Sequence, residues 1–219
     1  MDLQQIILRI SIGAPGFLLA IVFHEAAHAF MAYRFGDHTA KYSGRLTLNP
    51  SAHIDPIGTI LFPLIGAIFG SVMFGWAKPV PIDPRKFKNV RKGIFWVSFA
   101  GPLANILMAI VLAFILAFLY AKVSPQTYFY QSAIEMIQSA VGINIVLAAF
   151  NLIPFPPLDG SKMVSSFMQY NTAIWYEGLA RYSLIFLMII WMTPVLQYII
   201  RPALMFGDLM IQIFYKILL

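Results

Sequence analysis

The sequence predicts an all-α polytopic membrane protein with about four to six transmembrane helices. Of its 219 residues, 60% are hydrophobic and 11% are charged, whereas about a quarter of the residues in a soluble domain are charged. The apolar residues also form long runs, which are typical of helices that cross a bilayer. These observations exclude a soluble enzyme and a disordered chain. The length predicts one domain over residues 1–219.

The charge balance indicates a lipid bilayer as partner and no nucleic acid. Fifteen lysines and arginines against nine aspartates and glutamates give a net charge of +6. In a membrane chain such an excess marks the cytosolic loops, and the most basic loop lies at residues 78–92. This loop lacks the interleaved aromatic platform of a nucleic-acid surface, so we expect it to lie near lipid headgroups. The absence of cysteine excludes disulfides and thiolate chemistry.

Apolar runs and their breaks divide the chain into predicted elements. The first run, residues 3–35, predicts a helix that contains His24, Glu25 and His28. Residues 36–55 are polar, and a weak alternation at residues 42–48 predicts a short strand. The next apolar run is interrupted by prolines and glycines and covers residues 57–76. Further membrane helices are predicted at residues 94–120, 132–152 and 179–200, followed by a last apolar segment at residues 202–219.

The first helix carries an H-E-x-x-H sequence, His24-Glu25-Ala26-Ala27-His28. A spacing of four places both imidazoles on one helix face, where they can share a tetrahedral zinc ion. Glu25 can then take the proton of a zinc-bound water. Each ionisable residue inside a membrane helix costs on the order of 2.5–3.5 kcal/mol, so a cluster of three indicates a functional role.

Asp159 is the candidate for a third zinc ligand. A catalytic zinc usually takes three protein ligands and leaves the fourth position to water, and acidic residues are few in this chain. Asp159 follows an apolar helix and a proline-rich turn, and it precedes Gly160. An Asp-Gly pair alone is typical of a turn. Together with an intramembrane H-E-x-x-H sequence, a ligand role is the stronger interpretation.

Two other functions would use similar residues. A metal-binding transporter or channel would use the same histidine pair, but it would not require Glu25 as a base and would tend to have related halves. A membrane metalloprotease of the prenyl-protein protease type would take a later glutamate as third ligand, and the later glutamates are Glu135 and Glu177. His53 and Asp55 are further polar residues, for which a structural role in their loop is the stronger interpretation.

Three motifs together resemble the site-2 protease family of intramembrane zinc metalloproteases. They are the H-E-x-x-H sequence, Gly101-Pro102-Leu103-Ala104-Asn105 at a helix start, and Asn151-Leu152-Ile153-Pro154 running into Leu158-Asp159-Gly160. They occur in the family's order over most of the chain. A further run resembles the short bacterial subgroup, in which we expect no PDZ domain: Gly75-Trp76-Ala77-Lys78-Pro79-Val80-Pro81.

The resemblance implies an endopeptidase that cleaves membrane-embedded segments of protein substrates. It implies one zinc ion per chain, bound by His24, His28 and Asp159. Glu25 would act as the general base. We expect a bacterial cell membrane as its location, and the basic residues on one face predict that the active site lies toward the cytosol.

The resemblance also implies roles for two asparagines. Asn151, on the helix that leads to the third ligand, would face the site and hold the substrate backbone or the developing oxyanion. Asn105 would lie nearby and give packing or polar support. The alternative for each is a hydrogen bond between helices. We further expect the unwound substrate to add as a strand along residues 42–48.

The positions of the ligands predict that residues 57–76 re-enter the membrane. The zinc lies nearer the end of the first helix at Phe35, and Asp159 follows the end of a later helix, so both ends share one face of the membrane. Two neighbouring crossings, residues 94–120 and 132–152, connect the basic loop to the end of that later helix. The basic loop therefore lies on the same face as well. Residues 57–76 must then start and finish on one side, with a turn at residues 63–70. The basic residues assign this face to the cytosol and the N-terminus to the outside.

Overall fold

The computed structural model describes residues 2–69 and 75–219, which fold into helices and connecting loops with no strand in either part. Four helical stretches are long and apolar enough to cross a membrane, namely Leu3–Phe35, Val90–Lys122, Tyr130–Asn151 and Tyr170–Ile190. A helix of 22 residues, such as Tyr130–Asn151, extends about 33 Å and so matches a hydrocarbon core of about 30 Å. The predicted all-α membrane fold is confirmed.

The helices are numbered in chain order as α1 (Leu3–Phe35), α2 (Thr39–Tyr42), α3 (Phe62–Phe69), α4 (Val90–Lys122), α5 (Tyr130–Asn151), α6 (Asp159–Ser165), α7 (Tyr170–Glu177), α8 (Ser183–Met192) and α9 (Val195–Leu218). Short 3₁₀ turns lie at Pro50–Ala52, Pro84–Lys86 and Gly178–Tyr182, and a π-helical turn lies at Pro56–Leu61.

Small residues let the long helices α1, α4, α5 and α9 pack into a bundle. A Cβ atom at Gly16 would lie 2.7 Å from the Ala140 Cβ atom, so α1 and α5 cross in direct contact. The buried residues between α4 and α5 are Ala109, Ala113, Val141 and Ile145, with Met210 and Phe214 of α9 packed against them. This packing holds α4 and α5 beside α1, the helix that carries the histidines.

The basic loop before α4 meets the end of α1, as the topology argument requires. Gly36 ends α1 with a φ of 106°, a left-handed conformation that favours glycine. The backbone N–H of Lys88 then donates to the carbonyl of Phe35 (2.9 Å). The next residue after Gly36 is the buried Asp37, whose carboxylate accepts from the backbone N–H of Asp83 (2.7 Å). The end of α1 and the basic loop before α4 therefore lie side by side.

The predicted strand at residues 42–48 is wrong. Tyr42 closes the short helix α2, and the chain turns at Gly44, which has a φ of 66°. The Asp37 carboxylate accepts from both the backbone N–H (2.9 Å) and the hydroxyl of Thr39, and these bonds begin the helical turn. Local side chain-to-backbone hydrogen bonds outweigh a weak alternation of apolar residues. The expected edge for an added substrate strand is therefore lost as well.

The two ends of the segment 57–76 lie next to each other, as predicted. The backbone N–H of Trp76 donates to the Gly58 carbonyl (3.1 Å), and the Thr59 hydroxyl donates to the Trp76 carbonyl (2.8 Å). Both ends of the segment therefore lie side by side, which is the geometry of a re-entrant segment. The chain is helical up to Phe69, so it does not reverse within residues 63–69. Residue 70, the end of the predicted turn, lies outside the described residues.

The predicted helix at residues 179–200 is divided in the structure. α8 ends at Met192, and Thr193 is extended because a residue that precedes a proline, here Pro194, disfavours the α conformation. α9 then begins and continues through Pro202, so residues that the prediction separated form one helix.

Candidate metal centre

Three side chains meet where α1 passes the start of α6. His24 and His28 lie one turn apart on α1 and are each 6% exposed, and Asp159 is the first residue of α6. The Nε2 atoms of His24 and His28 lie 3.1 and 3.2 Å from the Asp159 Oδ2 atom and 3.0 Å from each other. The structure therefore brings together the three residues predicted as zinc ligands.

The spacing of these three atoms fits a tetrahedral ion. Zinc–nitrogen and zinc–oxygen bonds of about 2.0–2.2 Å place neighbouring ligand atoms of a tetrahedron about 3.3 Å apart. The three atoms are separated by 3.0, 3.1 and 3.2 Å. Three protein ligands also leave a fourth tetrahedral position for water or substrate, which is the arrangement of a catalytic site.

Hydrogen bonds on the far side of each imidazole determine which ring nitrogen faces the carboxylate. The His28 Nδ1 atom lies 2.7 Å from the Val97 carbonyl oxygen, which can only accept, so Nδ1 carries the proton. The His24 Nδ1 atom lies 2.6 Å from Oδ1 of Asn105. Because the Asn105 Nδ2 atom donates to the Ala20 carbonyl (3.0 Å), the orientation of this amide is set. When the rings are neutral, as metal ligands must be, Nε2 therefore presents a lone pair in each.

The Asp159 Oδ2 atom completes a set of three acceptors. It is buried and accepts no hydrogen bond in the described part of the chain. Leaving such an atom without a partner costs roughly 1–3 kcal/mol, and the two imidazole lone pairs beside it add repulsion. A cation would remove both costs, and two imidazoles with one carboxylate are a donor set that zinc takes. The residues present therefore fit a zinc ion.

Gly101 of α4 lies directly against the two candidate histidine ligands. A Cβ atom at this position would lie 2.4 Å from the His28 Nε2 atom and 2.6 Å from the His24 Nε2 atom. Both distances are far inside van der Waals contact, so any side chain at residue 101 would displace the two imidazoles. This close approach gives the Gly101-Pro102 motif a direct role at the site.

One face of α4 supports both histidines. Val97, Gly101 and Asn105 follow one another at intervals of four, so they lie on one face of the helix. The Val97 carbonyl holds His28, and Asn105 holds His24. The polar support expected of Asn105 is therefore a hydrogen bond to a candidate ligand.

Asn144 is the polar residue that the sequence analysis missed. Its Oδ1 atom accepts from the Asn105 Nδ2 atom (3.0 Å), and its own amide donates to the Ala140 carbonyl (2.9 Å). Both asparagines are fully buried. The available signal was an asparagine in the middle of an apolar helix, because such residues usually bond across helices.

Glu25 is anchored by a segment that is distant in sequence. Its side chain is partly buried, and its Oε2 atom accepts from the backbone N–H of Val80 (2.9 Å). The Oε1 atom keeps its capacity to accept a proton or a hydrogen bond. Glu25 follows His24 directly, so its carboxylate belongs to the same helical turn as the candidate ligands.

Gly160 explains how Asp159 returns to the bundle after α5 ends. A Cβ atom at residue 160 would lie 2.3 Å from the Leu152 carbonyl oxygen and 2.7 Å from that of Ile153. Only glycine allows this approach to the end of α5. The Asp-Gly pair therefore begins α6 instead of forming a turn, and this helix start places the carboxylate beside α1.

Asn151 lies near the end of α5, and its oxyanion role stays a prediction. Its side chain is partly buried, and its amide donates to the Leu147 carbonyl one turn earlier (3.0 Å). An asparagine amide has two hydrogens, so one donor remains for a substrate.

The other polar candidates make structural contacts. His53 is fully buried, and its Nε2 atom hydrogen-bonds the Thr47 carbonyl (2.9 Å). Asp55 accepts from two backbone N–H groups at the start of the π-helical turn. Of the glutamates that a different protease type would use, Glu135 accepts from Gln131 (2.7 Å) and Glu177 accepts from Ser165 (2.8 Å). Among the described residues, the side chains that lie close enough together to hold a metal ion are those of His24, His28 and Asp159.

Comparison with known proteins identifies the family of this chain. The profile of Peptidase family M50 matches residues 121–192. Putative zinc metalloprotease YwhC of Bacillus subtilis is 36% identical over 91% of this chain and 89% of its own length. Putative zinc metalloprotease Rip2 of Mycobacterium tuberculosis is 26% identical over 83% of this chain and 67% of its own length. No solved structure matches the chain significantly. The chain therefore belongs to peptidase family M50, the site-2 protease family of zinc metalloproteases.

Proposed function

We propose that this chain is an intramembrane zinc endopeptidase that hydrolyses peptide bonds within membrane-embedded segments of protein substrates. The observation that carries the proposal is the convergence of three acceptor atoms, from His24, His28 and Asp159, beside an apolar bundle. Family membership supports a metalloprotease rather than a transporter. Charges inside a membrane helix are costly, so the placement of this cluster on a spanning helix supports a substrate in the membrane.

Each protein group has a defined task in the proposed reaction. A zinc ion held by the three ligands would polarise the scissile carbonyl and lower the pKa of a water molecule toward about 7. Glu25 accepts the proton of the attacking water and passes it to the leaving amine. Asn151 donates a hydrogen bond to the oxygen that gains charge. Because a helical substrate hides its carbonyls in hydrogen bonds, the substrate unwinds locally before cleavage.

We also propose that the site opens toward the cytosol of a bacterial cell. The basic loop before α4 and the end of α1 lie at one end of the bundle, joined by the Lys88–Phe35 hydrogen bond. Lysine and arginine concentrate in cytosolic loops. Water for the reaction then enters from the cytosolic face, and lipid surrounds the apolar helices.

Replacement of Glu25 by Gln tests the proposal. The purified Glu25→Gln protein is expected to retain zinc and to lose cleavage of a reporter transmembrane helix in proteoliposomes. Glu135→Gln is the matched control, since Glu135 lies on α5 and bonds only Gln131 among the described contacts. Cleavage by Glu25→Gln at the rate of the control would contradict the proposal.

A further inference from the structure

A connecting segment crosses the candidate site beside Glu25. We call residues 75–83 the strap; they have no regular secondary structure. Its backbone N–H groups bond to the body of the protein at every second residue: Trp76 to the Gly58 carbonyl (3.1 Å), Lys78 to the His53 carbonyl (2.9 Å) and Val80 to the Glu25 carboxylate (2.9 Å). A period of two is the period of an extended chain, so one edge of the strap faces the protein.

Because of its two prolines, the strap has a single backbone N–H donor next to Glu25. Pro79 and Pro81 have no backbone N–H, so Val80 supplies the only backbone donor of these three residues. That donor bonds the Glu25 Oε2 atom. The Val80 side chain is buried with Ala29 and Ala40, which keeps its backbone in place.

Arg45 holds the strap at the two residues that precede Val80. Its Nη2 atom donates to the carbonyl oxygens of Lys78 and of Pro79, the latter at 3.2 Å. Arg45 is only 6% exposed, and a guanidinium is seldom buried without strong partners. The buried guanidinium therefore restrains the backbone of the two residues before Val80, which keeps the Val80 N–H within hydrogen-bond distance of Glu25.

We propose that the strap is a positioning device for Glu25, acting through the Val80 N–H. This inference rests on the proposed function, in which Glu25 is the general base. A glutamate side chain has several rotamers, and a base must lie about 2.6–3.2 Å from the proton that it takes. The Val80 bond holds Oε2 and leaves Oε1 to meet the attacking water. The strap therefore contributes to turnover without touching metal or substrate.

The test compares Val80→Pro with Val80→Ala. Proline removes the N–H, and its Cδ atom takes the place of the amide hydrogen beside the Glu25 Oε2 atom, so the Glu25 carboxylate loses its bond and must turn away. Alanine keeps the N–H and removes only the side chain. Loss of a hydrogen bond to a charged group is expected to make kcat of Val80→Pro about 10- to 100-fold lower than that of Val80→Ala. KM, zinc content and thermal stability should be equal in the two variants.

A second pair of variants tests the contact between Arg45 and the strap. Arg45→Lys keeps a donor for the strap carbonyls, whereas Arg45→Met removes it, so kcat should fall further in Arg45→Met. This pair decides the matter if Val80→Pro does not fold or loses zinc. Equal kcat within both pairs overturns the inference, and a rise in kcat for Val80→Pro overturns it in favour of an inhibitory cover. If Glu25→Gln also retains cleavage, the proposed function has failed; if Glu25→Gln is inactive, only the strap inference has failed.

Discussion

The Nδ1 atom of His24 lies 2.6 Å from the Oδ1 atom of Asn105, although 81 positions separate the two residues in the chain. Asn105 is itself held by Asn144, so one hydrogen-bonded chain links α1, α4 and α5 at the candidate metal centre. Both asparagines have no exposed surface. Because Asn105 accepts from Nδ1, it holds His24 in the tautomer that leaves Nε2 free to bind a metal.

We expect Asn105→Ala to weaken zinc binding about 10- to 100-fold, the range found when an outer partner of a metal ligand is removed. Asn105→Asp keeps an acceptor for His24 and should recover most of the affinity. Asn144→Ala should have a smaller effect, since it acts only through Asn105. Competition with a chelator in detergent measures the dissociation constants. Equal affinity in Asn105→Ala and the wild type would limit Asn105 to helix packing.

Gly101→Ala should lose most of its bound zinc and all of its proteolysis. The added Cβ atom would lie 2.4 Å from the His28 Nε2 atom and 2.6 Å from the His24 Nε2 atom, so both imidazoles would have to move. Alanine favours helix more than glycine, so α4 itself should remain folded. Gly142→Ala is the control, since a Cβ atom there meets nothing within 4 Å. Metal analysis and circular dichroism of both proteins check the prediction, which fails if Gly101→Ala binds zinc as the control does.

Asn151→Ala should lower turnover about 10²- to 10³-fold, the usual loss on removal of one oxyanion donor. Zinc content should not change, because the Asn151 amide bonds the Leu147 carbonyl within α5 rather than a ligand. Cleavage assays with parallel metal analysis separate the two quantities. Unchanged turnover would assign Asn151 to helix packing alone.

Single cysteines in this cysteine-free chain test the topology. Lys41 and Lys88 are both exposed and lie near the same end of the bundle, whereas Lys122 ends α4. Cysteines at positions 41 and 88 should react with a membrane-impermeant reagent from the cytosolic face only, and a cysteine at position 122 from the outer face only. Opposite faces for positions 41 and 88 would contradict the re-entrant segment.

Asp37 should make stability depend on pH in the acid range. Burial opposes ionisation of this carboxyl, but hydrogen bonds from Thr39 and from the Asp83 backbone outweigh it, so the pKa of Asp37 lies below its usual value. A lowered pKa adds stability above about pH 4, the unfolded value, and this stability is lost as pH falls through the folded pKa. The melting temperature of Asp37→Asn should therefore lie below that of the wild type at pH 6, and the difference should shrink toward pH 3. A constant difference would show that ionisation of Asp37 does not contribute.

Local patterns allowed much of the fold and the ligand set to be predicted. The long apolar runs predicted the membrane helices, and the four-residue spacing of His24 and His28 placed both imidazoles on one face. These signals depend on residues that are neighbours in the chain, so they can be read without knowledge of packing. The predicted strand at residues 42–48 failed for a related reason, because the side-chain hydrogen bonds of Asp37 are stronger than a weak periodicity.

The sequence alone determined the kind of site, since an H-E-x-x-H helix and a later Asp-Gly pair supply three candidate ligands for a zinc ion. Only the tertiary structure decided what supports them. The bond from Asn144 to Asn105 spans 39 positions, and the bond from Val80 to Glu25 spans 55. Such contacts depend on how the helices are rotated against one another and on where a loop crosses the bundle. Packing of distant segments sets both, and no spacing along the chain records them.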